Sequence, residues 1–163
     1  MAVIGWGKCR IFIKDLETDG ASWVEVPTPV EESTQLSTEK GDKQEATLEG
    51  GEYEDVRYSA NKYSLEYQIR IAKDKTMPFT HDNGRVSGTW AVAVQPEDAE
   101  VAGVLIDKSV VSCEDTFSTA EGGAVTYTHD ALKPDSGNLV KWAYITVTEE
   151  DGAITDLTAT SAE

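Results

Sequence analysis

The sequence predicts an all-β protein, mainly antiparallel, arranged as a β-sandwich or barrel. The first observation is residues 63–71, in which apolar and polar side chains alternate strictly. The second is a series of β-branched and aromatic runs between turns rich in Gly, Asn and Asp. The third is the near absence of helix-start signals. We expect roughly eight to ten strands, one long hairpin and at most one short flanking helix, in a single domain spanning residues 1–163.

The alternating run is expected to form the second strand of the long hairpin. One face of this strand carries Tyr63, Leu65, Tyr67, Ile69 and Ile71. Residues 46–58 are strand-like but more acidic, and Asn61 in the intervening turn tolerates the left-handed conformation that tight turns often need. Because two strands cannot bury both of their faces, either another sheet of the chain or a second chain is expected to cover the hairpin.

The chain before the hairpin is expected to hold two strands and a long connection. Residues 3–14 and 22–26 are strand-like and flank Asp19-Gly20, a strong hairpin signal. Two prolines end the second strand, because proline cannot donate a backbone hydrogen bond. Residues 30–51 are polar and without period, so we expect a long loop or arm there, with disorder as the alternative.

The chain after the hairpin is expected to hold one short helix and the remaining strands. The helix would start at Pro96, where proline and the acids after it suit a helix N-terminus. The strands are expected at residues 89–94, 104–117, 125–132, 139–148 and 154–158. The strand at 139–148 is apolar on both faces, so it is either central or in contact with another subunit. Residues 159–163 are expected to fray.

The charge balance of the chain is strongly acidic. With 30 acidic against 14 basic residues, the formal net charge is −16, and such a surface repels nucleic acid and anionic membranes. The excess of acid either keeps the chain soluble or makes a surface non-adhesive to a nearby polyanion. No stretch resembles a transmembrane helix or a signal peptide, so we expect no membrane contact and folding in a cytoplasm.

Residues suited to chemistry are few. His81 and His129 belong to no recognised catalytic motif, and His129 and its neighbour Asp130 point to opposite faces of a strand. Cys9 and Cys113 are expected to be buried free thiols, with a single bridge between them as the alternative. The acids of the first predicted turn imitate a calcium loop, but their spacing favours a hairpin turn. We therefore predict no catalytic residue, no metal site and no cofactor.

The tryptophans keep a binding function open. Trp6, Trp23, Trp90 and Trp142 could form a platform for sugars, although most of them fall at strand positions where core packing is expected. One alternative function is thus a monomeric β-sandwich binding module for a glycan or protein ligand. The other is an enzyme that uses Cys113 or His129.

Three segments of the chain carry a family resemblance. They are the arm and hairpin KGDKQEATLEGGEYEDVRYSANKYSLEYQIR, the short segment QPEDAEVAG, and the turn HDALKPDSGNLVKW. With them the chain resembles the bacteriophage tail tube (major tail) proteins found in phages and prophages of gut Bacteroidetes. The resemblance implies a small β-sandwich or barrel with a flanking helix, related to the secretion-tube proteins. It also implies that six copies form a ring with a continuous inner β-barrel.

The resemblance further implies a structural subunit whose hexameric rings stack into a hollow, acid-lined conduit for DNA. The partners would be further copies and other tail proteins, DNA would pass without specific binding, and the subunit would act in the virion tail after assembly in the host cytoplasm. Residues 31–51 and 52–71 would reach an adjacent subunit or ring. Inter-subunit contacts are then expected at Glu39, Lys40, Asp42, Lys43, Glu49, Gly50, Gly51, Tyr53, Tyr58, Tyr63, Tyr67, Trp142 and Tyr144. Glu66 is expected to face the lumen.

Overall fold

In a computed structural model that describes residues 4–151 and 153–162, these residues form eleven strands and no helix. The strands are β1 (Arg10–Asp15), β2 (Val24–Glu25), β3 (Gln35–Glu39), β4 (Lys43–Thr47), β5 (Tyr53–Tyr58), β6 (Lys62–Arg70), β7 (Trp90–Gln95), β8 (Gly103–Ser118), β9 (Gly122–Ala131), β10 (Lys141–Glu150) and β11 (Ala153–Ser161). Every pairing between them is antiparallel. The prediction of an all-β, mainly antiparallel protein is confirmed.

Nine of the strands belong to one sheet. Its order is β2-β1-β7-β8-β9-β6-β3, with β10 beside the start of β8 and β11 beside β10. The sheet is open, with β2 and β3 at its two ends, so it does not close into a barrel. The strands β4 and β5 pair only with each other and form a separate ribbon. The longest hairpin is β8–β9, whose register runs from Ser109 opposite Ala131 to Ser118 opposite Gly122.

Two apolar clusters on opposite faces of β1 and β7 hold the layers together. Ile11, Ile13 and Val92 share one cluster with the inward residues of β6 and β9, which shows that the sheet folds over at β8. Phe12 and Ala93 point the other way and pack against β10 and β11. Because side chains alternate along a strand, β1 and β7 supply both clusters from neighbouring positions. Each fully buried Ile or Phe side chain stabilises such a core by about 1.5–3 kcal/mol.

Several predicted elements are present. The hairpin around Asp19-Gly20 joins β1 and β2, and Gly20 has a φ of 74°. The strands expected at 89–94, 104–117, 125–132 and 139–148 correspond to β7, β8, β9 and β10. Of the strand expected at 3–14, Val3 lies outside the described residues, and β1 begins only at Arg10.

The predicted pairing of the long hairpin is wrong. Strand β5 pairs with β4, while β6 lies between β3 and β9. Residues 30–51, expected as a loop or arm, contain both β3 and β4. These segments show no hydrophobic period because nearly all of their residues are exposed on both faces.

The predicted helix and frayed tail are also corrected. Residues after Pro96 form a turn in which Asp98 Oδ1 accepts the Glu100 N–H at 3.0 Å, so the acids close a turn instead of starting a helix. At the other end, β11 extends to Ser161, which pairs with Ala143. Pairing with β10 therefore orders most of the tail, and Glu163 lies outside the described residues.

Candidate functional site

The β4–β5 ribbon, with its turn of residues 48–52, is poorly covered by the rest of the chain. Every residue of β4 is exposed, and only Val56 of β5 is half-buried. In the turn, the Leu48 N–H donates to the Glu52 carbonyl at 2.8 Å, and the Gly51 N–H donates to the Leu48 carbonyl at 3.1 Å. Gly50 and Gly51 have φ of 94° and 89°, a region that favours glycine. The ribbon is thus an ordered projection.

The junction between ribbon and sheet depends on Gly41. Its N–H donates to Asn61 Oδ1 at 3.0 Å, and the nearby Ser59 N–H donates to the Asp42 carbonyl at 2.9 Å. A Cβ at position 41 would lie 1.8 Å from the Ser59 carbonyl oxygen, so only glycine fits here without movement of the backbone. The turn at residues 59–62 therefore packs closely against Gly41, and this contact fixes how the ribbon joins the sheet.

A bulge places two tyrosines on the same face of the ribbon. Lys43 lies opposite Tyr58, and beyond the irregularity at Ala46/Thr47 the partner of Thr47 is Tyr53. The extra residue reverses the alternation, which brings Tyr53 to the face that carries Tyr58. Lys43 Nζ lies 4.9 Å from the ring centroid of Tyr53, as expected for residues of one face. The ribbon therefore presents an aromatic face to solvent.

Charged groups fix the orientation of this aromatic face. Lys43 Nζ lies 2.9 Å from Glu45 Oε1, and the Tyr53 hydroxyl donates to the same oxygen at 3.1 Å. The hydrogen bond from Lys43 lowers the pKa of Glu45 below its usual value. Lys40 Nζ lies 5.1 Å from the ring centroid of Tyr58. Both tyrosine rings are thus covered by a lysine and remain open on their other side for a partner.

Most of the residues expected to contact a neighbouring subunit are at the surface. The exposed ones are Glu39, Lys40, Asp42, Lys43, Glu49, Gly50, Gly51, Tyr53, Tyr58, Trp142 and Tyr144. Tyr63 is half-buried. The expectation for Tyr67 is wrong, because its side chain is fully buried in the larger core cluster. The alternation that placed Tyr67 beside Tyr63 identified the inward face of β6, which its own chain covers.

The outward face of β6 and of the strands beside it is polar. Glu66 is half-buried on this face, between Gln35 of β3 and Thr128 of β9. The pairing register places on the same face Gln35, Ser37, Ser64, Gln68, Ser112, Glu114, Thr116, Thr126, Thr128 and Asp130. The bases that β6 adds to it, Lys62 and Arg70, stand at the two ends of that strand. The middle of the face thus carries hydroxyls, amides and acids, together with the exposed Val110 opposite Asp130.

The buried histidine forms a closed network. The Tyr67 hydroxyl lies 2.9 Å from His129 Nε2, and Ser109 Oγ lies 3.1 Å from Nδ1. Ser109 donates its proton to the Trp90 carbonyl at 2.7 Å, so Nδ1 of His129 donates to Ser109 and Nε2 accepts from Tyr67. Burial lowers the pKa of His129 to about 3. Since Tyr67, Ser109 and His129 are fully buried, a substrate cannot reach the network in this structure.

The remaining groups considered for chemistry are Cys113, His81 and Cys9. Burial, with a smaller effect of Asp115, raises the pKa of the Cys113 thiol to about 11, so the thiolate is scarce at neutral pH. His81 Nε2 lies 3.4 Å from Asp115 Oδ1, and its Nδ1 accepts the Gly84 N–H at 3.0 Å. Cys9 and Cys113 are both free and half-buried.

The parts of the chain that the structure describes contain no candidate metal site and no candidate membrane helix. Residues 4–151 and 153–162 contain no group of three or more His, Cys, Asp or Glu that could hold a metal ion. Within the same ranges, no helix is long and apolar enough to cross a membrane.

A cavity of about 820 Å³ lies beside the starts of β1, β3, β8 and β10. We call it the tryptophan groove. Its apolar lining includes Trp6, Leu36, Leu65, Val94, Val104 and Trp142. A smaller cavity of about 470 Å³ shares Leu36 and Trp142 with the groove and reaches Asn61 at the base of the ribbon. Trp6 is 80% exposed and Trp142 46% exposed, so the groove opens to solvent.

Two surface residues were not anticipated from the sequence. Phe117 lies near the end of the β8–β9 hairpin and is 78% exposed, and Ile71 beside it is 56% exposed. Their sequence neighbourhoods resemble ordinary alternating strands, in which an apolar residue is assigned to the core.

No protein-family model matches the chain, and comparison with curated proteins finds no significant similarity.

Proposed function

We propose that the protein is the self-assembling structural subunit of a phage tail tube. Six copies would form a ring, and the rings would stack into a hollow, acid-lined conduit through which DNA passes without specific binding. The subunit would act in the virion tail, together with other tail proteins, after assembly in the host cytoplasm. The resemblance of the arm, the short acidic segment and the turn before β10 suggests the family, and physical features of the subunit support it.

The observation that carries the proposal is the area that the chain leaves exposed. Its accessible surface is 10931 Å², whereas a compact monomer of 17.7 kDa exposes about 7,900 Å². The excess of about 3,000 Å² on one chain corresponds to about one to three obligate interfaces, each of which buries about 1,000–2,500 Å² per partner. Since β4, β5 and the end of β8 are exposed on both faces, they account for part of this excess.

The polar outward face supports the assignment of a lumen wall. A conduit for DNA should not bind phosphate, and bases on its wall would do so through counterion release. The middle of this face offers Glu66, Glu114 and Asp130 among hydroxyls and amides. We assign this face to the lumen and the aromatic face of the ribbon to the contact with a neighbouring subunit.

Removal of the ribbon tests the proposal. Because Lys43 and Tyr58 are direct partners, residues 44–57 can be replaced by Asn-Gly, which closes a two-residue hairpin between them. The wild type should form large particles with rising concentration in light scattering and sedimentation velocity, and the shortened variant should stay monomeric. Matching thermal unfolding of the two proteins is the control for folding. A wild type that remains monomeric at every concentration would contradict the proposal.

A monomeric binding module is the second candidate, and the tryptophan groove favours it. Trp6 and Trp142 line the same open cavity, and aromatic faces of this kind stack on sugars. This function predicts a monomer whose tryptophan fluorescence changes on titration with oligosaccharides. Trp6→Ala should abolish the change, with Trp23→Ala as the control outside the groove.

A further inference from the structure

The strand β8 connects two apolar surface features. Val104, near its start, lines the tryptophan groove, while Phe117, near its end, projects from the β8–β9 hairpin. The two residues are roughly 40 Å apart along an extended strand. The β4–β5 ribbon leaves the sheet where β6 begins, and the β8–β9 turn lies where β6 ends. The molecule thus has different surfaces at its two ends.

The hairpin end carries a compact apolar tip, which we define as Phe117 and Ile71. Both side chains flank Gly123, where an added Cβ would lie 3.4 Å from Ile71 Cδ1 and 3.7 Å from Phe117 Cδ2. The tip keeps its shape because the Ile71 N–H donates to the Gly123 carbonyl at 2.9 Å. An exposed aromatic residue next to an exposed isoleucine is expected to mark a contact site.

Bases outnumber acids beside the apolar tip, where Glu121 of the β8–β9 turn is also exposed. Arg70 Nη1 donates to the Glu121 carbonyl at 3.1 Å, and Lys75 Nζ donates to the Arg70 carbonyl at 3.0 Å. Lys73 is exposed in the same segment, whose own acid is Asp74. With Arg70, Lys73 and Lys75 in six consecutive positions, the segment is locally basic in a chain of net charge −16.

The rim of the tryptophan groove has the opposite charge. Glu31 and Glu32 line the groove against one base, Lys8. The adjoining turn after β7 adds Glu97, and its Oε2 accepts the Lys8 backbone N–H at 3.2 Å. Asp98 and Glu100 of the same turn are exposed. The apolar groove thus has an acidic rim, whereas bases outnumber acids beside the apolar tip.

We propose that the β8–β9 tip of one copy docks in the tryptophan groove of the next copy. The inference rests on the proposed self-assembly, because the occupant is a second copy of this chain. Apolar side chains match an apolar groove, and the bases beside the tip match the acids on the groove rim. Since the two surfaces differ, the contact is heterologous and can repeat from one copy to the next.

Cross-linking tests this contact, because Cys9 already lines the groove. Ala120→Cys in a Cys113→Ala background keeps Phe117 and leaves one thiol in the groove and one in the exposed turn beside the tip, and a short bismaleimide then joins thiols that lie close together. Tip-in-groove docking predicts a ladder of covalent oligomers. Cys9→Ser should abolish the ladder, and Val110→Cys, at an exposed position of β8 away from the tip, should not produce it.

Light scattering on the same samples separates failure of this inference from failure of the proposed function. Assembly with no cross-links would overturn the docking. Covalent dimers alone would also overturn it, since dimers without larger oligomers indicate contact between two tips. Absence of assembly at every concentration would overturn the proposed function and the docking together. A second check needs no cross-linking. Phe117→Ser should raise the concentration needed for assembly at least tenfold, while Val110→Ser should leave it unchanged.

Discussion

The hydroxyl of Tyr67 lies 2.9 Å from Nε2 of His129, and both side chains are fully buried between β6 and β9. Tyr67 can donate this hydrogen bond only while His129 is neutral, since a protonated Nε2 is a donor and cannot accept. Burial lowers the pKa of His129 from 6.5 to about 3, so the stability of the core depends on pH.

Acidification is expected to destabilise the protein through His129. Between pH 6.5 and about pH 3 the unfolded chain binds a proton at this residue and the folded chain does not. The free energy of unfolding therefore falls by about 1.4 kcal/mol for each pH unit below 6.5. Urea unfolding of wild type and His129→Gln across this range isolates the effect, because glutamine does not titrate. The difference in the free energy of unfolding between wild type and His129→Gln should narrow as the pH falls. Parallel curves of this free energy against pH would show that His129 does not contribute.

Substitution of Gly41 is expected to disturb the joint between ribbon and sheet. In Gly41→Ala, the Cβ and the Ser59 carbonyl must separate, which should cost about 1–3 kcal/mol of the free energy of unfolding. Hydrogen exchange should show loss of protection at the Ser59 amide, which donates to Asp42. Gly50→Ala is the control, since no atom lies within 4 Å of the added Cβ. This substitution also lowers the free energy of unfolding, because Gly50 has a positive φ, but the strain is local to the turn.

The two ribbon tyrosines are expected to act in assembly and not in folding. Tyr53→Ser with Tyr58→Ser removes exposed side chains, so the free energy of unfolding should change by no more than about 0.5 kcal/mol for each substitution. Sedimentation velocity should show that the double variant fails to form large particles. The control pair, Gln44→Ser with Arg57→Ser, alters the opposite face of the same ribbon. Loss of assembly in both pairs would indicate a general effect on the ribbon.

Charge reversal on the polar outward face is expected to create DNA binding. Tubes of Glu66→Lys with Glu114→Lys should retain double-stranded DNA, and the retention should weaken steeply with salt because counterions are released on binding. The matched control is Glu150→Lys with Asp156→Lys, which changes the net charge equally on β10 and β11. Equal retention of labelled DNA by both variants would contradict the assignment of the lumen.

Strands with one buried face could be predicted from the sequence, because burial imposes a period of two. Leu65 and Ile69 are examples, and both lie in the core. The partner of a strand leaves no such pattern, so β6 was paired with β5 when it lies between β3 and β9. The contacts that decide the pairing, such as Gly41 beside Ser59, depend on three-dimensional packing.

The candidate surfaces were predictable only in part, for the same reason. Ribbon residues such as Tyr53 and Tyr58 were expected at the surface because the resemblance implies that their segment reaches a neighbouring subunit. Phe117 was missed, because an apolar residue in a strand is expected to be buried, and its exposure follows from the length by which β8 and β9 extend beyond the sheet. The error for Tyr67 is the opposite one. Its alternation with polar residues indicates the face of the strand on which it lies, but not whether its own chain or a second chain covers that face.

Negative-stain microscopy of the purified protein, concentrated stepwise, tests the proposed tube most directly. The proposal predicts six-fold rings and hollow tubes in the wild type, and neither in the variant with residues 44–57 replaced by Asn-Gly. Uniform small particles at every concentration, or solid fibres without a central channel, would contradict it.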